Sequence, residues 1–349
     1  MWSIDEAIQL IQPVAPERIQ AAQVRLDNLT KPRGSLGVLE EIAARMAAFS
    51  RGKPAVHNPR IYVFVGDHGV NEEGVSAYPP EVTTLMVHNF LGGGAAINVL
   101  GRRAGAEVCV VDVGMRDEVA LPGLISRNVR RGTANIARGP AMTIMEAQQA
   151  LAAGIEMAGQ ARAEGCTLLA TGEMGIGNTT PSAALYAALL PYDPEKIVGR
   201  GTGLDEAGLR RKAAVVKQAL ETNRERLSDS LSTLAAVGGL EIAAIAGLCL
   251  GGAAYGVPVV VDGFISGAGA LAAMRMAPAV RDYLFFSHLS SEAGHRFYFE
   301  CEGLRPLLDL DMRLGEGTGA AIGIQLIGDA VAIYNEMATF QDLGIEAGA

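Results

Sequence analysis

The sequence contains few cysteines and histidines, and none is spaced as metal ligands or disulfide partners usually are. The five histidines form no HExxH or HxH pattern, and no CxxC motif or Cys/His pairing is present. Neither a zinc site nor a disulfide framework is therefore expected. Each cysteine lies in an apolar context, so we expect all of them to be core residues. They are Cys109, Cys166, Cys249 and Cys301.

Positive charge and long apolar runs are also scarce. Lysine and arginine number 29 against 38 acidic residues, and a net charge of −9 argues against a nucleic-acid partner. The longest apolar stretch, residues 240–261, contains Glu241 and several glycines, so no transmembrane span is expected. The first residues, MWSIDEAIQLI, are typical of an amphipathic helix rather than a signal peptide. We therefore expect a cytoplasmic protein without membrane contact.

Glycine and apolar residues are abundant: 43 glycines, with 49% hydrophobic residues, predict tight turns and a sizeable core. Apolar strand-like segments alternate with helical ones, which predicts a Rossmann-like α/β fold with a mostly parallel sheet and helices on both faces. The predicted strands are 60–69, 107–115, 167–178, 257–264 and 283–290. Both chain ends are purely helical. We expect residues 1–55 and 328–349 to form a small helical domain beside a large α/β catalytic domain, residues 56–327.

Glycine-rich loops with an acid or a hydroxyl follow every predicted strand. In such sheets ligands bind at the carboxyl ends of the strands, so these loops are expected to converge on one site. The strongest is GEMGIGNTT, residues 172–180, whose polar residues can cap the next helix and leave its N-terminus open to an anion. An ordinary turn remains an alternative, and the loop is not a P-loop, because no Gly-Lys-Ser/Thr follows. The loops are GDHG (66–69), DVGM (112–115), GEMGIGNTT (172–180), DGFISGAG (262–269) and SHLSSEAGH (287–295).

Several other residues have both a functional and a structural interpretation. Lys212 follows two arginines on a predicted helix, which is also typical of a solvated basic face. Glu316 lies between two glycines in RLGEGTGAA, directly before an apolar helix, where an acid is most simply a cap or a solvated turn. The histidines other than His57 are more simply structural hydrogen-bonding residues than catalytic ones. They are His68, His88, His288 and His295.

Eight motifs in order resemble those of the nicotinate-nucleotide:dimethylbenzimidazole phosphoribosyltransferase family. The resemblance extends from about residue 5 to residue 340. The motifs are KPRGSLG, GDHGV with GVSAYP, NFLGGGAAIN, GEMGIGNTT, VGRGTGLD, VVVDGFISGAGAL, SHLSSEAGH and RLGEGTGAA. The resemblance implies a homodimeric pentosyltransferase with no metal and no cofactor. It would move phosphoribose from nicotinate mononucleotide to 5,6-dimethylbenzimidazole, giving α-ribazole 5′-phosphate and nicotinate for the nucleotide loop of cobamides.

The resemblance also assigns site residues. Glu316 would be the general base, and Glu173 a second catalytic glutamate that supports ribose orientation or charge development at the anomeric carbon. Lys212 would contact the phosphate and Asp262 the ribose hydroxyls. The anion-binding surroundings would be Gly175, Ile176, Ser290 and Ser291, and the nicotinate side Gly201, Thr202 and Gly203. The base pocket would be Ser76, Tyr78, Leu85, Met86 and Leu314.

The chemistry of this reaction needs one base and no acid. Nicotinate leaves as a neutral ring, so it needs no proton, whereas the attacking benzimidazole must lose the proton on its other nitrogen. A single carboxylate in an apolar setting, with a raised pKa, suits that task. Family members often have glutamine where this chain has Leu85, so another benzimidazole or a phenolic base is an alternative substrate. A silent substitution in a helix is equally open.

Two other functions are compatible with a Rossmann-like sheet. A nucleotide-dependent oxidoreductase would need GxGxxG directly after the first strand, but the sequence there is GDHGVNEEG. A non-catalytic nucleotide-binding or cobamide-sensing protein is the second alternative. It is disfavoured because Glu316 keeps its flanking glycines and Lys212 is present.

Overall fold

A six-stranded, wholly parallel sheet lies at the centre of the computed structural model, which describes residues 2–50, 52–190, 194–201 and 203–344. The strands are β1 Arg60–Gly66, β2 Glu107–Gly114, β3 Leu124–Ser126, β4 Leu169–Met174, β5 Val259–Val261 and β6 Leu284–Phe286. Their order is β3-β2-β1-β4-β5-β6. This is the doubly wound order, in which the chain reverses direction across the sheet between β1 and β4.

Helices connect the strands and cover both faces of the sheet. They are α1 Ile4–Leu10, α2 Pro16–Asp27, α3 Val38–Phe49, α4 Val82–Leu91, α5 Ala96–Arg103, α6 Ile144–Ala163, α7 Thr179–Leu189, α8 Pro194–Ile197, α9 Glu206–Thr222, α10 Ser230–Val237, α11 Leu240–Tyr255, α12 Phe264–Met276, α13 Ala293–Glu302 and α14 Thr318–Glu336. Short 3₁₀ turns occur at Gly69–Glu73, Arg224–Arg226, Pro278–Tyr283 and Gln341–Leu343. The predicted α/β fold class is confirmed.

All five predicted strands are present; each is shorter than expected, and β4, β5 and β6 have half the predicted length or less. The sequence did not reveal β3, because three residues are too few to show a period. The segment 167–178 forms a strand only over β4, and its remaining residues form the turn before α7. Strands β5 and β6 have three residues each, since the chain leaves the sheet early to form the loops described below.

Glycines allow the closest helix packing on one face of the sheet. Helix α11 is buried from Leu240 to Ala253 and packs along α6. A Cβ on Gly154 would lie 2.0 Å from the backbone oxygen of Ala244, and one on Gly247 would lie 2.0 Å from that of Leu151. Larger residues at these two positions would push the helices apart. This contact explains part of the high glycine content.

The two chain ends meet on the opposite face. Helices α2, α3 and α14 pack together, and their apolar residues share one core with β1. The Arg25 guanidinium donates to the Tyr334 carbonyl (2.9 Å), and Leu29 pairs with Thr339 in a β-bridge. Helix α1, by contrast, lies against α6 and α11. The division into domains at residues 55 and 328 stays a prediction.

The cysteine prediction is only partly right. Cys166 and Cys249 are buried and Cys109 is partly buried, but Cys301 is exposed near the end of α13. Tyr298 and Phe299 lie on the buried side of this amphipathic helix, whereas Cys301 lies on its exposed side. The apolar residues next to Cys301 in the sequence did not show which side it would occupy. Among the residues described, no helix combines the length and apolar character needed to cross a membrane.

Candidate active site

A cavity of about 640 Å³ opens at the carboxyl end of β4 and β5. Three of the five predicted loops line it, namely 172–180, 262–269 and 287–295. The other two do not: the Asp67 N–H donates to the Gly114 carbonyl (2.9 Å), which joins the ends of β1 and β2 away from the cavity. The predicted residues that line the cavity are Tyr78, Met86, Glu173, Gly175, Ile176, Gly201, Asp262, Ser290, Leu314 and Glu316.

Glu316 lies in a turn with three successive left-handed residues. Gly315, Glu316 and Gly317 have φ values of 85°, 63° and 95°. Only glycine adopts such angles freely, so Glu316 is held in an unfavourable backbone conformation, as is common at functional sites. The turn also lies directly on β4, because a Cβ on Gly172 would be 2.5 Å from the Glu316 carbonyl oxygen.

Asp262, at the end of β5, holds this turn from the other side. Its carboxylate accepts hydrogen bonds from the backbone N–H groups of Gly317 (3.3 Å) and Ala320 (2.9 Å). Asp262 therefore caps the N-terminus of α14, the helix that Glu316 precedes. Asp262 also lines the cavity, so its predicted role on the ribose hydroxyls stays a prediction beside this anchoring role.

Burial raises the pKa values of both predicted catalytic acids. Burial, followed by the charge of Asp262, raises the pKa of Glu173 to about 8, although the side-chain amide of Asn178 donates to its carboxylate. Burial, followed by the charge of Asp262, also raises the pKa of Glu316, and the nearby backbone of Ile97 opposes that shift. A raised pKa makes each carboxylate a stronger base once it is ionised.

Lys212 lies one layer behind the cavity wall. Its Nζ donates to the Thr179 hydroxyl (2.6 Å) and to the Gly199 carbonyl (3.2 Å), and Thr179 itself lines the cavity at the start of α7. Burial lowers the pKa of Lys212 to about 8, against the charge of Glu292. The ammonium and the N-terminus of α7 together make this end of the cavity favourable for an anion.

Some predicted residues lie outside the cavity wall. Leu85 is 64% exposed on α4, whereas its neighbour Met86 faces the cavity, because successive helical residues point in different directions. Ser76 accepts from the Tyr78 N–H (3.2 Å) without lining the cavity, and Ser291 and Gly203 are exposed. Thr202 lies outside the described residues. Leu85, which stands where family members often have glutamine, therefore changes the surface of α4 rather than the cavity wall.

Sequence reasoning missed several polar residues of the cavity. Glu292 accepts from the Gly201 N–H (2.9 Å), and Asn178 donates to Glu173. His288 was interpreted as structural, yet it lines the cavity 4.0 Å from the Asp262 carboxylate. The loops that carry these residues were recognised, but their residue roles depend on contacts between distant segments. No cluster of three or more metal-ligating side chains occurs in the described part of the chain.

Comparison with known proteins agrees with these features. A family model described as phosphoribosyltransferase matches residues 11–345. The chain belongs to this family. It is 57% identical over 332 residues to nicotinate-nucleotide–dimethylbenzimidazole phosphoribosyltransferase of Pelodictyon phaeoclathratiforme, covering 95% of this chain and 94% of that protein. It is 53% identical over 350 residues to the protein of the same name from Geobacter sulfurreducens, covering 100% and 99%.

A solved structure is also closely similar to this chain. The crystal structure of CobT from Thermus thermophilus superposes with a TM-score of 0.91 at 54% sequence identity, covering 95% of this chain and 100% of that one. The resemblance inferred from the ordered motifs is therefore confirmed, and the chain is a phosphoribosyltransferase rather than an oxidoreductase.

Proposed function

We propose that the protein transfers phosphoribose from nicotinate mononucleotide to 5,6-dimethylbenzimidazole or a related base, in the assembly of the cobamide nucleotide loop. The observation that carries this proposal is the cavity itself. Glu316, an acid with a raised pKa, lines the same cavity as Thr179, whose hydroxyl accepts from Lys212 at the start of α7; this supports a general base and a phosphate site in one pocket. The names of the relatives support the same reaction.

The proposed step breaks one bond and forms one bond at the anomeric carbon. The pair of electrons in the bond between ribose and nicotinate moves to the nicotinate ring nitrogen, which becomes neutral. A benzimidazole nitrogen attacks the opposite face of the ribose, so the configuration inverts. The proton on the other benzimidazole nitrogen passes to the Glu316 carboxylate, which acts as general base.

The apolar end of the cavity suits a flat base. Tyr78, Met86 and Leu314 line it, and Tyr78 and Leu314 remain more than half exposed. Flat benzimidazoles and flat phenols both suit such a surface, so both classes are candidates for the lower-ligand base. Family resemblance supports a homodimer, and the free cysteines fit the reducing cytoplasm.

The proposal is tested by a metal-free turnover assay. The protein is incubated with EDTA, nicotinate mononucleotide and a panel of benzimidazoles and phenols, and released nicotinate is followed by chromatography. We expect nicotinate and an α-ribosyl phosphate product in equal amounts. Nucleotide binding without product across the whole panel would instead indicate the non-catalytic alternative. Light scattering during size-exclusion chromatography tests the homodimer.

A further inference from the structure

A buried carboxylate, Glu292, lies on the cavity wall immediately before α13. It is 6% exposed, and its Oε1 accepts the Gly201 N–H at 2.9 Å. Its Oε2 is buried without a hydrogen-bond partner among the described residues. Burying a carboxylate that is only partly hydrogen-bonded is unfavourable, so a nearby positive charge or a functional constraint is expected to maintain it.

The nearby positive charge is Lys212, which lies on the other side of the turn that contains Gly201. Lys212 donates to the carbonyl of Gly199, while Glu292 accepts from the N–H of Gly201. The turn 199–201 is thus held between a buried ammonium and a buried carboxylate. The charge of the Glu292 carboxylate favours the ionised form of Lys212.

The turn has no room for side chains at its ends. A Cβ on Gly199 would lie 1.8 Å from the Glu292 Oε2, and a Cβ on Gly201 would lie 2.8 Å from the Thr179 hydroxyl and 3.0 Å from the Lys212 Nζ. The two glycines therefore let the backbone come into direct contact with both charged groups. The backbone at this end of the cavity is set by Glu292 and Lys212 together.

We propose that Glu292 is a positioning residue that holds the turn 199–201 against Lys212 and so sets how tightly the cavity binds the anionic end of its nucleotide. The inference rests on the proposed function, because it takes that anion to be the nucleotide phosphate. Glu292 acts through the turn and through Lys212, and it takes no part in bond making. Its loss should therefore weaken nucleotide binding much more than it slows the chemical step.

The electrostatic surroundings of Lys212 make this role measurable. Among the residues that the structure describes, the charge of Glu292 favours the ionised form of Lys212. The Thr179 hydroxyl and the Gly199 carbonyl accept from its ammonium. Arg200 of the turn is paired with Glu206, and Lys196 of α8 is exposed. Removing the Glu292 charge should lower the pKa of Lys212 below about 8. Nucleotide affinity should then begin to fall at a lower pH than in the wild-type protein.

The test compares Glu292→Gln with the wild-type protein and with Glu300→Gln. The amide keeps an acceptor for the Gly201 N–H and removes the charge, whereas Glu300 is an exposed acid on the same helix. For Glu292→Gln we expect KM for nicotinate mononucleotide and its calorimetric Kd to rise about tenfold, with kcat changed by less than about threefold. The pH above which affinity falls should also decrease. Glu300→Gln should match the wild type.

Three results would overturn the inference. They are an unchanged Kd in Glu292→Gln, an unchanged pH midpoint, or a fall in kcat without a change in KM. If Glu292→Gln does not fold, Glu292→Asp replaces it. The shorter side chain keeps the charge but moves the carboxylate away from Gly201, so Kd should rise while the pH midpoint stays the same. An unchanged Kd in Glu292→Asp would refute the inference. Absence of turnover in the wild-type protein would instead refute the proposed function.

Discussion

Replacing Asp262 by asparagine should shift the pH dependence of turnover to lower pH. Asp262 is one of the causes that raise the pKa values of Glu173 and Glu316, because a like charge nearby disfavours ionisation. Asparagine removes that charge with almost no change in volume. The pKa of Glu316 should fall, so the general base should become ionised, and turnover should begin to rise, at a lower pH than in the wild-type protein.

The same substitution should also destabilise the fold. The two carboxylate oxygens of Asp262 accept the N–H groups of Gly317 and Ala320, and an amide keeps only one acceptor oxygen. Hydrogen bonds to a charged group contribute about 1.5–3 kcal/mol, and the loss is partly offset because a neutral amide is easier to bury. We therefore expect a loss of about 1–2 kcal/mol in the free energy of unfolding, which corresponds to the loss of a helix cap.

The assay is kcat against pH at saturating nicotinate mononucleotide and dimethylbenzimidazole, with unfolding followed by urea denaturation. Asp112→Asn is the matched control. Asp112 is a buried acid that accepts the N–H groups of Gly114 (3.0 Å) and Met115 (2.8 Å), but its charge is not among the causes that shift the pKa of Glu316. The control should lose stability, but its kcat should begin to rise at the same pH as in the wild-type protein. If the pH at which kcat begins to rise stays the same or increases in Asp262→Asn, the reasoning is refuted.

Two further predictions concern the phosphate end and the strained turn. Lys212→Ala should raise KM for the nucleotide with a smaller effect on kcat. In the wild-type protein KM should rise above about pH 8, because the lowered pKa of Lys212 means that its ammonium is lost there. Initial rates from pH 6 to 9 test both predictions. Gly172→Ala should reduce turnover by tenfold or more, roughly, since its Cβ would meet the Glu316 carbonyl at 2.5 Å, whereas Gly328→Ala, which meets nothing within 4 Å, should leave turnover unchanged.

Much of the fold followed from local patterns. Alternating apolar segments predicted five of the strands. Strand β3 and the side of the sheet that receives α1 were not predictable in this way. They depend on pairing and packing between segments that are distant in the sequence, which a local period does not record.

The candidate site shows the same division. The loops were predictable because acids and glycines follow each strand, and the family resemblance supplied the roles. The anchoring of α14 by Asp262 joins residues 55 positions apart or more, and the contact between Glu292 and Gly201 joins residues 91 apart. Leu85 and Met86 are equally apolar in sequence, and only the direction of α4 shows which of them faces the cavity.

The role of Glu316 as the general base is the central claim, and Glu316→Gln tests it most directly. The amide has almost the same volume as the carboxylate, and Asp262 still accepts the Gly317 and Ala320 N–H groups, so the turn should keep its shape while the proton acceptor is lost. With nicotinate mononucleotide and dimethylbenzimidazole, we predict that kcat falls by about 10²–10⁴-fold while the Kd for the nucleotide stays within about threefold of the wild-type value. Turnover close to that of the wild type would contradict the account, and would mean that Glu316 shapes the turn without accepting the proton.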